Sequence, residues 1–460
     1  MQKNTFKHII KTVFFYTFLS YLTLNHSIYL HGSQEPEVKQ PDKPKTIISF
    51  KTNKNDIPYV YRDTFNDPTY VSYTMRAFVL CEKSTIDAMN TAKQSPKKAS
   101  INISVGPHFQ NKLASLPTGT TKDKDEHRKT LVAFEQSPSK KTNPDDYNQS
   151  IVISGSANIS HNVWPNGNDE AILIIKNNEE LALEIRTLLL SSSPQKNQKD
   201  TVHTTPEKIK AFGSKKHDLN DINAQRILNA ANSSTDDHFV YTRTMNINDK
   251  NIEEALKKAA ESGADTRIIV HKTALTKNGI PILKSLNEAG VHVSIHYPEK
   301  GKTNIMHVKD VITPTSYTNS TANFTQEGND QNNVTIIVPN NKEIITAAKD
   351  HFAAVEKKCI PLKIALKLYE EEKKQKEEEK KKKIEEKKKA QKEDKKQKAR
   401  QDRSSEKKSP KKTQKGTKRK ASSDNIIEEK SPKKRITTTK PVIRRRAQKA
   451  LDFPDENEPM

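Results

Sequence analysis

The chain is poor in the residues that cross-link small folds. Of its 460 residues only two are cysteine, Cys81 and Cys359, and only one is tryptophan. Two thiols exclude a disulfide framework and a cysteine-based zinc site, although a single bridge stays open as an alternative. Cys81 ends an apolar run, which is typical of a small buried residue. The sequence thus excludes the two classes of protein in which cysteines hold the fold together.

Hydrophobic residues are also scarce, and the positive charge is unevenly placed. Hydrophobic residues make up 32% of the chain, charged residues 30%, and the formal net charge is +23. From Lys357 onward there are 37 Lys and Arg against 19 Asp and Glu, so about +18 of the charge lies in the last quarter. This composition predicts a globular part followed by a polar, extended or disordered one.

The first 33 residues have the pattern of an export signal. Lys3, Lys7 and Lys11 precede an apolar run from Val13 to Leu24. The run is interrupted directly afterwards and is short for a membrane span. We therefore expect a cleaved signal peptide and an exported protein, periplasmic or secreted. An uncleaved N-terminal anchor and a buried amphipathic helix are the alternatives.

Two stretches of the chain alternate between strand and helix patterns. The first predicts strands over 76–81, 101–105, 129–134, 150–154 and 171–176, with helices over 84–92 and 179–190. The second predicts helices over 220–231, 249–262 and 279–289, strands over 238–244, 266–270 and 291–296, and a helix beyond 342. Such alternation indicates an α/β fold with a largely parallel sheet.

The domain boundaries follow from these patterns and from the composition. We expect an export segment or anchor (1–33), a linker and lead-in (34–70), lobe 1 (71–190), a linker (191–218), lobe 2 (219–357), a charged Lys/Glu helix (358–403) and a disordered basic tail (404–460).

A short polar pattern occurs once in each lobe. His127 and Lys129 form a His-x-Lys pair ahead of an apolar strand that ends in a Gly-Ser-Ala-Asn turn at 155–158. His307 and Lys309 form the second pair, ahead of the Thr-Ala-Asn turn at 321–323. Each turn is followed by another apolar run. An internal repeat of this kind indicates duplicated architecture. Other histidines, such as His271, are taken as incidental.

This pattern suits the chemistry of a phosphodiester. Residues i and i+2 of a strand face the same side, so the His and Lys of each pair point into one cleft. Lysine supplies charge to a phosphate, and histidine can act as nucleophile or proton donor near pH 7. Two facing sets would hold one phosphodiester between two histidines. Because lysines and amides neutralise the charge, we expect neither a metal ion nor another cofactor.

The doubled pattern resembles the phospholipase D-like superfamily, whose members carry His-x-Lys-x4-Asp followed by Gly-Ser-x-Asn twice per active unit. The resemblance covers about residues 70–357. It implies two βα-sandwich lobes with the site at their interface, and cleavage through a phosphohistidine. A single chain would then hold both halves of the site, so it could act as a monomer.

The resemblance also implies roles for individual residues. Glu170 matches the family carboxylate that orients a catalytic histidine, and we expect it to pair with His127. The implied catalytic residues are His127, His307, Lys129, Lys309 and Glu170. The implied phosphate-binding residues are Ser156, Asn158, Thr321 and Asn323.

The chain departs from the family pattern at several positions. Phe134 and Pro314 stand where the motif aspartates belong, and Asp310 directly follows the second lysine. Ser320 replaces the glycine of the second turn, and Asn333 stands where lobe 1 has its glutamate. These departures leave a second hypothesis open, in which a catalytically impaired member of the family binds phosphate or polyanions without turnover.

The C-terminal region predicts contacts with anions. Tyr369–Lys398 is almost only Glu and Lys with opposite charges at helical spacing, which predicts a solvated helix. It lacks the apolar heptads of a coiled coil. Basic clusters over 404–449 suit an anionic membrane or a nucleic acid, although a solubilising tail is the alternative. The stretch 418–435 resembles a bipartite nuclear-targeting pattern, which would fit an exported protein delivered into another cell. The substrate is expected to be a phospholipid or a nucleic acid.

Overall fold

The computed structural model describes residues 44–52, 56–95, 99–106, 116–117, 119–138, 148–158, 168–191, 207–214, 217–233, 238–299 and 304–406. The predicted export segment and nearly all of the basic tail lie outside the described residues. Within the described ranges, no helix is both long enough and apolar enough to cross a membrane.

Lobe 1 is a mixed sheet with flanking helices. Its strands are β1 (Ile47–Lys51), β2 (Ser72–Ala77), β3 (Ser100–Val105), β4 (Thr121–Lys122), β5 (Lys129–Phe134), β6 (Ser150–Gly155) and β7 (Ile172–Lys176). Its helices are α1 (Ile57–Asn66), α2 (Lys83–Gln94) and α3 (Glu179–Leu190). The strands are ordered β1-β7-β6-β5-β2-β3-β4.

Lobe 2 has the same plan with one more edge strand. Its strands are β8 (Lys210–Gly213), β9 (Phe239–Thr244), β10 (Asp265–His271), β11 (His292–His296), β12 (Asp310–Thr313), β13 (Ser316–Ser320), β14 (Val334–Pro339) and β15 (Ile360–Pro361). Its helices are α4 (Leu219–Ala231), α5 (Lys250–Glu261), α6 (Gly279–Glu288), α7 (Gln326–Asp330) and α8 (Lys342–Glu356), with a short 3-10 helix at Lys272–Ala274. A long helix, α9 (Leu362–Glu406), follows.

The two sheets repeat one strand order. The second sheet runs β15-β11-β10-β9-β12-β13-β14-β8. From β11 to β8 this is the order of the first sheet read backwards, from β4 to β1, and β15 is an additional edge strand. The predicted two-lobe α/β architecture is confirmed. The sheets are mixed, however, and not largely parallel. Only β2-β3-β4 and β9-β10-β11 pair in parallel, because the strands after each His-x-Lys pair are joined as antiparallel hairpins.

Several predicted elements have their predicted positions. β5 and α3 carry the bounds read from the sequence, and Asp249 caps α5 by accepting from two backbone N–H groups. Gly263, at φ +87°, follows the end of that helix, as the sequence predicts. The cap of α2 differs. The Glu82 carboxylate accepts from the first backbone N–H groups, and Ser84 lies inside the helix.

Three elements lie in segments that were predicted to be linkers. β1 and α1 fall within 34–70, and β8 falls within 191–218. β1 is an edge strand that pairs antiparallel with β7, and β8 pairs in the same way with β14. β8 has only Ala211 and Phe212 as apolar residues, too few to give a periodic signal. Both lobes therefore begin earlier than their patterns indicate.

The lobes share one hydrophobic core. Val132 and Leu173 of the first sheet belong to the same buried cluster as Ile312, Tyr317 and Val334 of the second. The opposite faces of the sheets pack on their own helices in two separate clusters. Burying each such side chain stabilises the fold by about 1.5–3 kcal/mol. The shared core therefore fixes the lobes against each other and places the segments before β5 and β12 at their interface.

Candidate active site

In each His-x-Lys pair, at the start of a central strand, the lysine side chain donates to the backbone carbonyl of its own histidine. Lys129 is the first residue of β5, and Lys309 directly precedes β12. Both lysine side chains are buried, with 1% and 0% of their residues' surface exposed. The Lys129 ammonium donates to the carbonyl of His127 at 2.7 Å, and Lys309 donates in the same way to the carbonyl of His307.

A carboxylate orients the histidine of lobe 2. The Nδ1 of His307 lies 3.1 Å from the Glu170 carboxylate, and the Ser156 hydroxyl donates to the same carboxylate at 2.5 Å. The backbone N–H of Ala171 donates in turn to that hydroxyl at 3.1 Å. With Nδ1 engaged, the Nε2 of His307 is the ring nitrogen left for chemistry.

An amide does the same for the histidine of lobe 1. The Nδ1 of His127 lies 2.9 Å from the Asn333 side-chain oxygen, which also accepts from the Thr321 hydroxyl at 2.9 Å. The Asn333 amide nitrogen donates to the Gly328 carbonyl at 2.7 Å, which fixes the orientation of the amide. We assign the proton on His127 to Nδ1 from this network. The two half-sites thus repeat one arrangement, with glutamate in one and asparagine in the other.

Each lobe holds the histidine of the other. The backbone N–H of His307 donates to the carbonyl of Asp169 in lobe 1 at 2.9 Å, and that of His127 donates to the carbonyl of Asn332 in lobe 2 at 3.2 Å. The predicted pairing of Glu170 with His127 is therefore wrong. Glu170 follows Asp169 in a turn of lobe 1 that reaches across the interface, so its carboxylate orients the histidine of lobe 2.

The two histidines differ in proton affinity. Burial and the charge of Lys129 hold the pKa of His127 well below its usual value, although the bond to Asn333 works against this. Burial also lowers the pKa of His307, but there the Glu170 carboxylate opposes the fall. A single proton shared by the two histidines therefore resides preferentially on His307 in lobe 2.

Burial also changes the lysines and the glutamate. It lowers the pKa of Lys129 to about 7, although Glu170 opposes the fall. Burial and the neighbouring Lys129 hold the pKa of Lys309 well below its usual value. For Glu170, burial alone would raise the pKa, but His307 and Lys309 outweigh it and hold the pKa below its usual value. The site thus combines an ionised carboxylate with two buried lysines whose charged forms are disfavoured by burial.

The hydroxyls that were predicted to bind phosphate are already engaged. Ser156 donates its proton to Glu170, and Thr321 donates its proton to Asn333. These two side chains hold the groups that orient the histidines. Asn158 and Asn323 are partly buried and lie two residues beyond them.

The carboxylate next to the second lysine does not replace the missing motif aspartate. Asp310 forms a fully buried ion pair with Arg243 of β9, including a bond of 2.9 Å to Nε. Successive residues of a strand face opposite sides, which separates this carboxylate from Lys309. At the other motif position, Phe134 packs in the shared core. Within the described ranges, no group of three or more His, Cys, Asp or Glu side chains is placed to hold a metal ion.

A second pair of histidines lies close to the site. His271 ends β10 and His296 ends β11, in register as neighbours on parallel strands. The Nε2 of His296 lies 3.4 Å from Asp169, the residue before Glu170. Burial lowers the pKa of His271 to about 3, and the neighbouring His296, Lys272 and His307 act in the same direction. Both histidines lie at the carboxyl ends of parallel strands, which is where α/β sheets bind ligands. The predicted strand ends could therefore have marked both residues as site candidates.

The second lobe matches a known family. Residues 226–355 match the family described as "Cardiolipin synthase, PLD-like domain". This match confirms the predicted resemblance to the phospholipase D-like superfamily for the second lobe. No curated protein has a matching sequence.

Solved structures with a similar backbone include the following three proteins. The phospholipase D family member Nuc from Salmonella typhimurium is 14% identical, over 34% of this chain and 97% of that one, with a TM-score of 0.29. Phosphatidylserine synthase from Haemophilus influenzae is 14% identical, over 69% and 87%, with a TM-score of 0.49. Yeast tyrosyl-DNA phosphodiesterase is 9% identical, over 64% and 90%, with a TM-score of 0.41. At these scores the likenesses carry no argument of their own.

Proposed function

We propose that the protein is a phosphodiesterase of the phospholipase D type that acts through a phosphohistidine. The observation that carries the proposal is the pairing of two interface histidines, each held at Nδ1 by the opposite lobe. This arrangement leaves both Nε2 atoms for chemistry and sets a buried lysine beside each ring. The superfamily match of the second lobe supports the same reaction class.

In the first step, His127 is the nucleophile and His307 the general acid. The Nε2 of neutral His127 forms a bond to phosphorus as the ester P–O bond breaks. The leaving oxygen takes a proton from the Nε2 of His307, whose protonated form Glu170 stabilises. The order of proton affinities carries this assignment, since His127 faces an amide and His307 a carboxylate.

In the second step, His307 acts as the general base instead of the general acid. Neutral His307 accepts a proton from a water or an alcohol, whose oxygen attacks phosphorus as the N–P bond to His127 breaks. The Asn333 oxygen accepts from Nδ1–H throughout and steadies the charge on the phosphorylated ring. Hydrolysis or transfer to an alcohol results, according to which acceptor enters.

The lysines supply the charge that the phosphate requires. Burial disfavours the charged forms of both lysines. A bound phosphodiester places a negative charge beside them and thereby favours protonation. The lysines then neutralise the equatorial oxygens at the moment when charge on them matters.

The substrate is a phosphodiester from a phospholipid or a nucleic acid. The basic clusters over 404–449 would raise the local concentration of either polyanion.

A burst experiment tests the proposed roles. Bis(4-nitrophenyl) phosphate has a leaving group that departs without protonation, so His307→Ala should still release one equivalent of nitrophenol and then stop. The stalled enzyme should carry an acid-labile adduct on His127, detectable by peptide mass spectrometry. His127→Ala should give no burst. A burst in His127→Ala and none in His307→Ala would reverse the two roles.

Asn333 favours a second candidate, a phosphate-binding member of the family without turnover. An amide opposite His127 stabilises a phosphorylated ring less than a carboxylate would. Under this hypothesis the wild type gives neither burst nor adduct, yet binds inorganic phosphate. The burst experiment therefore separates the two candidates.

A further inference from the structure

Two ring nitrogens beside the active site have no hydrogen-bond partner among the described residues. They are the Nε2 of His271 and the Nδ1 of His296. The two residues are 4% and 2% exposed, and their ring centroids are 5.7 Å apart. A buried polar atom without a partner costs about 1–3 kcal/mol, so two adjacent ones require an explanation.

In each ring, the contacts of the paired nitrogen indicate whether the unpaired nitrogen is a donor or an acceptor. The backbone N–H of Thr273 donates to the Nδ1 of His271 at 3.3 Å, and the Thr273 hydroxyl lies 3.1 Å from the same nitrogen. We assign the proton of neutral His271 to Nε2 from the backbone contact. The Nε2 of His296 faces the Asp169 carboxylate at 3.4 Å, and we assign the proton of neutral His296 to it, which leaves Nδ1 as an acceptor. The pair thus offers one donor and one acceptor on rings whose centroids are 5.7 Å apart.

A hydroxyl group fits this pair. Its oxygen accepts from His271, and its hydrogen donates to His296. A carboxylate or an ionised phosphate oxygen has no proton for the second contact, and an ammonium has no lone pair for the first. A hydroxyl oxygen has both capacities, so it can serve one ring of each kind.

We infer that His271 and His296 form a subsite for a hydroxyl on the alcohol portion of the substrate, next to the phosphate held by His127 and His307. The inference rests on the proposed function. It predicts a phosphodiester whose alcohol carries a further free hydroxyl, as glycerol and ribose do. Asp169 links this subsite to the active site, because it contacts His296 through its side chain and His307 through its carbonyl.

The described residues of the first lobe hold no such pair at the corresponding strand ends. By strand order and register, Gly106 follows β3 where His271 ends β10. A Cβ added there would lie 2.6 Å from the carbonyl oxygen of Phe78, so a histidine does not fit. The subsite therefore makes the two ends of an otherwise repeated site unequal, as a substrate with two different alcohols requires.

Binding of two matched phosphates tests the inference. Glycerol 3-phosphate and n-propyl phosphate have the same charge and carbon chain, but only the first carries hydroxyls. Titration calorimetry on the full chain should show roughly fivefold to tenfold tighter binding of glycerol 3-phosphate, as one or two neutral hydrogen bonds give. A parallel titration with ribose 5-phosphate distinguishes a ribose hydroxyl from a glycerol hydroxyl as its source.

Amide variants isolate the two nitrogens. His271→Asn keeps an oxygen near Nδ1 for Thr273 but removes the Nε2–H donor, and His296→Gln keeps a donor toward Asp169 but removes Nδ1. Both should abolish the preference for the hydroxyl ligand and leave the affinity for propyl phosphate within twofold, which also reports an intact fold. His271→Gln, which retains a donor near Nε2, is the control and should keep part of the preference.

The outcomes separate the two proposals. Equal binding of the phosphates by the wild type, or a preference that survives both His271→Asn and His296→Gln, overturns the subsite and leaves the proposed function standing. Failure of the wild type to bind either phosphate overturns both.

Discussion

Replacing Lys129 by methionine should stabilise the protein while removing its function. The lysine is buried at the lobe interface. Its ammonium donates to the His127 carbonyl at 2.7 Å and lies 3.4 Å from the ring Nδ1 of the same residue. Methionine has a similar length and no charge, so it fills the same space. The site thus holds a group that the fold would be more stable without.

The expected size follows from the pKa of the lysine. Burial lowers it from 10.5 to about 7, which corresponds to a free energy of roughly 5 kcal/mol against the folded state. The variant leaves the His127 carbonyl without this donor, which costs about 1–3 kcal/mol. The net gain in the free energy of unfolding should therefore be about 2–4 kcal/mol at pH 6.

The gain should depend on pH in a defined direction. Below pH 7 the lysine is charged in both the folded and unfolded states, so the wild type carries the whole penalty. Between pH 7 and 10.5 the folded state is neutral and the unfolded state binds more protons, so wild-type stability rises with pH. At pH 9.5 the remaining penalty is about 1 kcal/mol, and the variant should be no more stable than the wild type.

Urea unfolding of both proteins at pH 6 and pH 9.5 measures this difference. Lys176→Met, at the exposed end of β7, makes the same change in net charge away from the site and serves as the control. The variant should also lose binding of inorganic phosphate. A variant that is less stable than the wild type at pH 6, or a gain that is equal at both pH values, would refute the reasoning.

Three further substitutions test the framework of the site. Gly155→Ala would place a Cβ 2.2 Å from the Ala171 carbonyl oxygen, so we expect urea unfolding to show a loss of about 1–3 kcal/mol. Asp310→Leu leaves Arg243 buried without its partner and should cost about 3–5 kcal/mol, most of which replacing both residues by apolar ones should restore. Asn333→Asp puts a carboxylate 2.9 Å from the histidine it contacts and should raise the pKa of that histidine by about 1–3, measured by NMR titration.

The parts of the fold that depend on local pattern could be predicted. β5 is a run of six residues that is buried on both faces, since Leu131 and Val132 belong to different core clusters. Such a run is readable as a strand without knowing its neighbours. The His-x-Lys pairs were recognisable because each is contained in three consecutive residues that directly precede or begin a strand.

The partners of the histidines could not be predicted in this way. Glu170 and His307 are 137 residues apart, and His127 and Asn333 are 206 residues apart. Position along the sequence favours the nearer histidine for Glu170, whereas the shared core turns each half toward the other. Which group orients which histidine depends on how the two sheets pack, and the periodicity of the sequence does not contain that information.

The crossed arrangement of the half-sites has a consequence for folding. Contacts between residues 137 and 206 apart form only after each lobe has its sheet and the two sheets have docked, because closing such long loops is entropically unfavourable. A chain with both lobes folded but not yet docked would have its histidines and lysines in place without the groups that orient them. Any separation of the lobes therefore takes the orienting group away from each histidine, even where the histidine's own strand is intact.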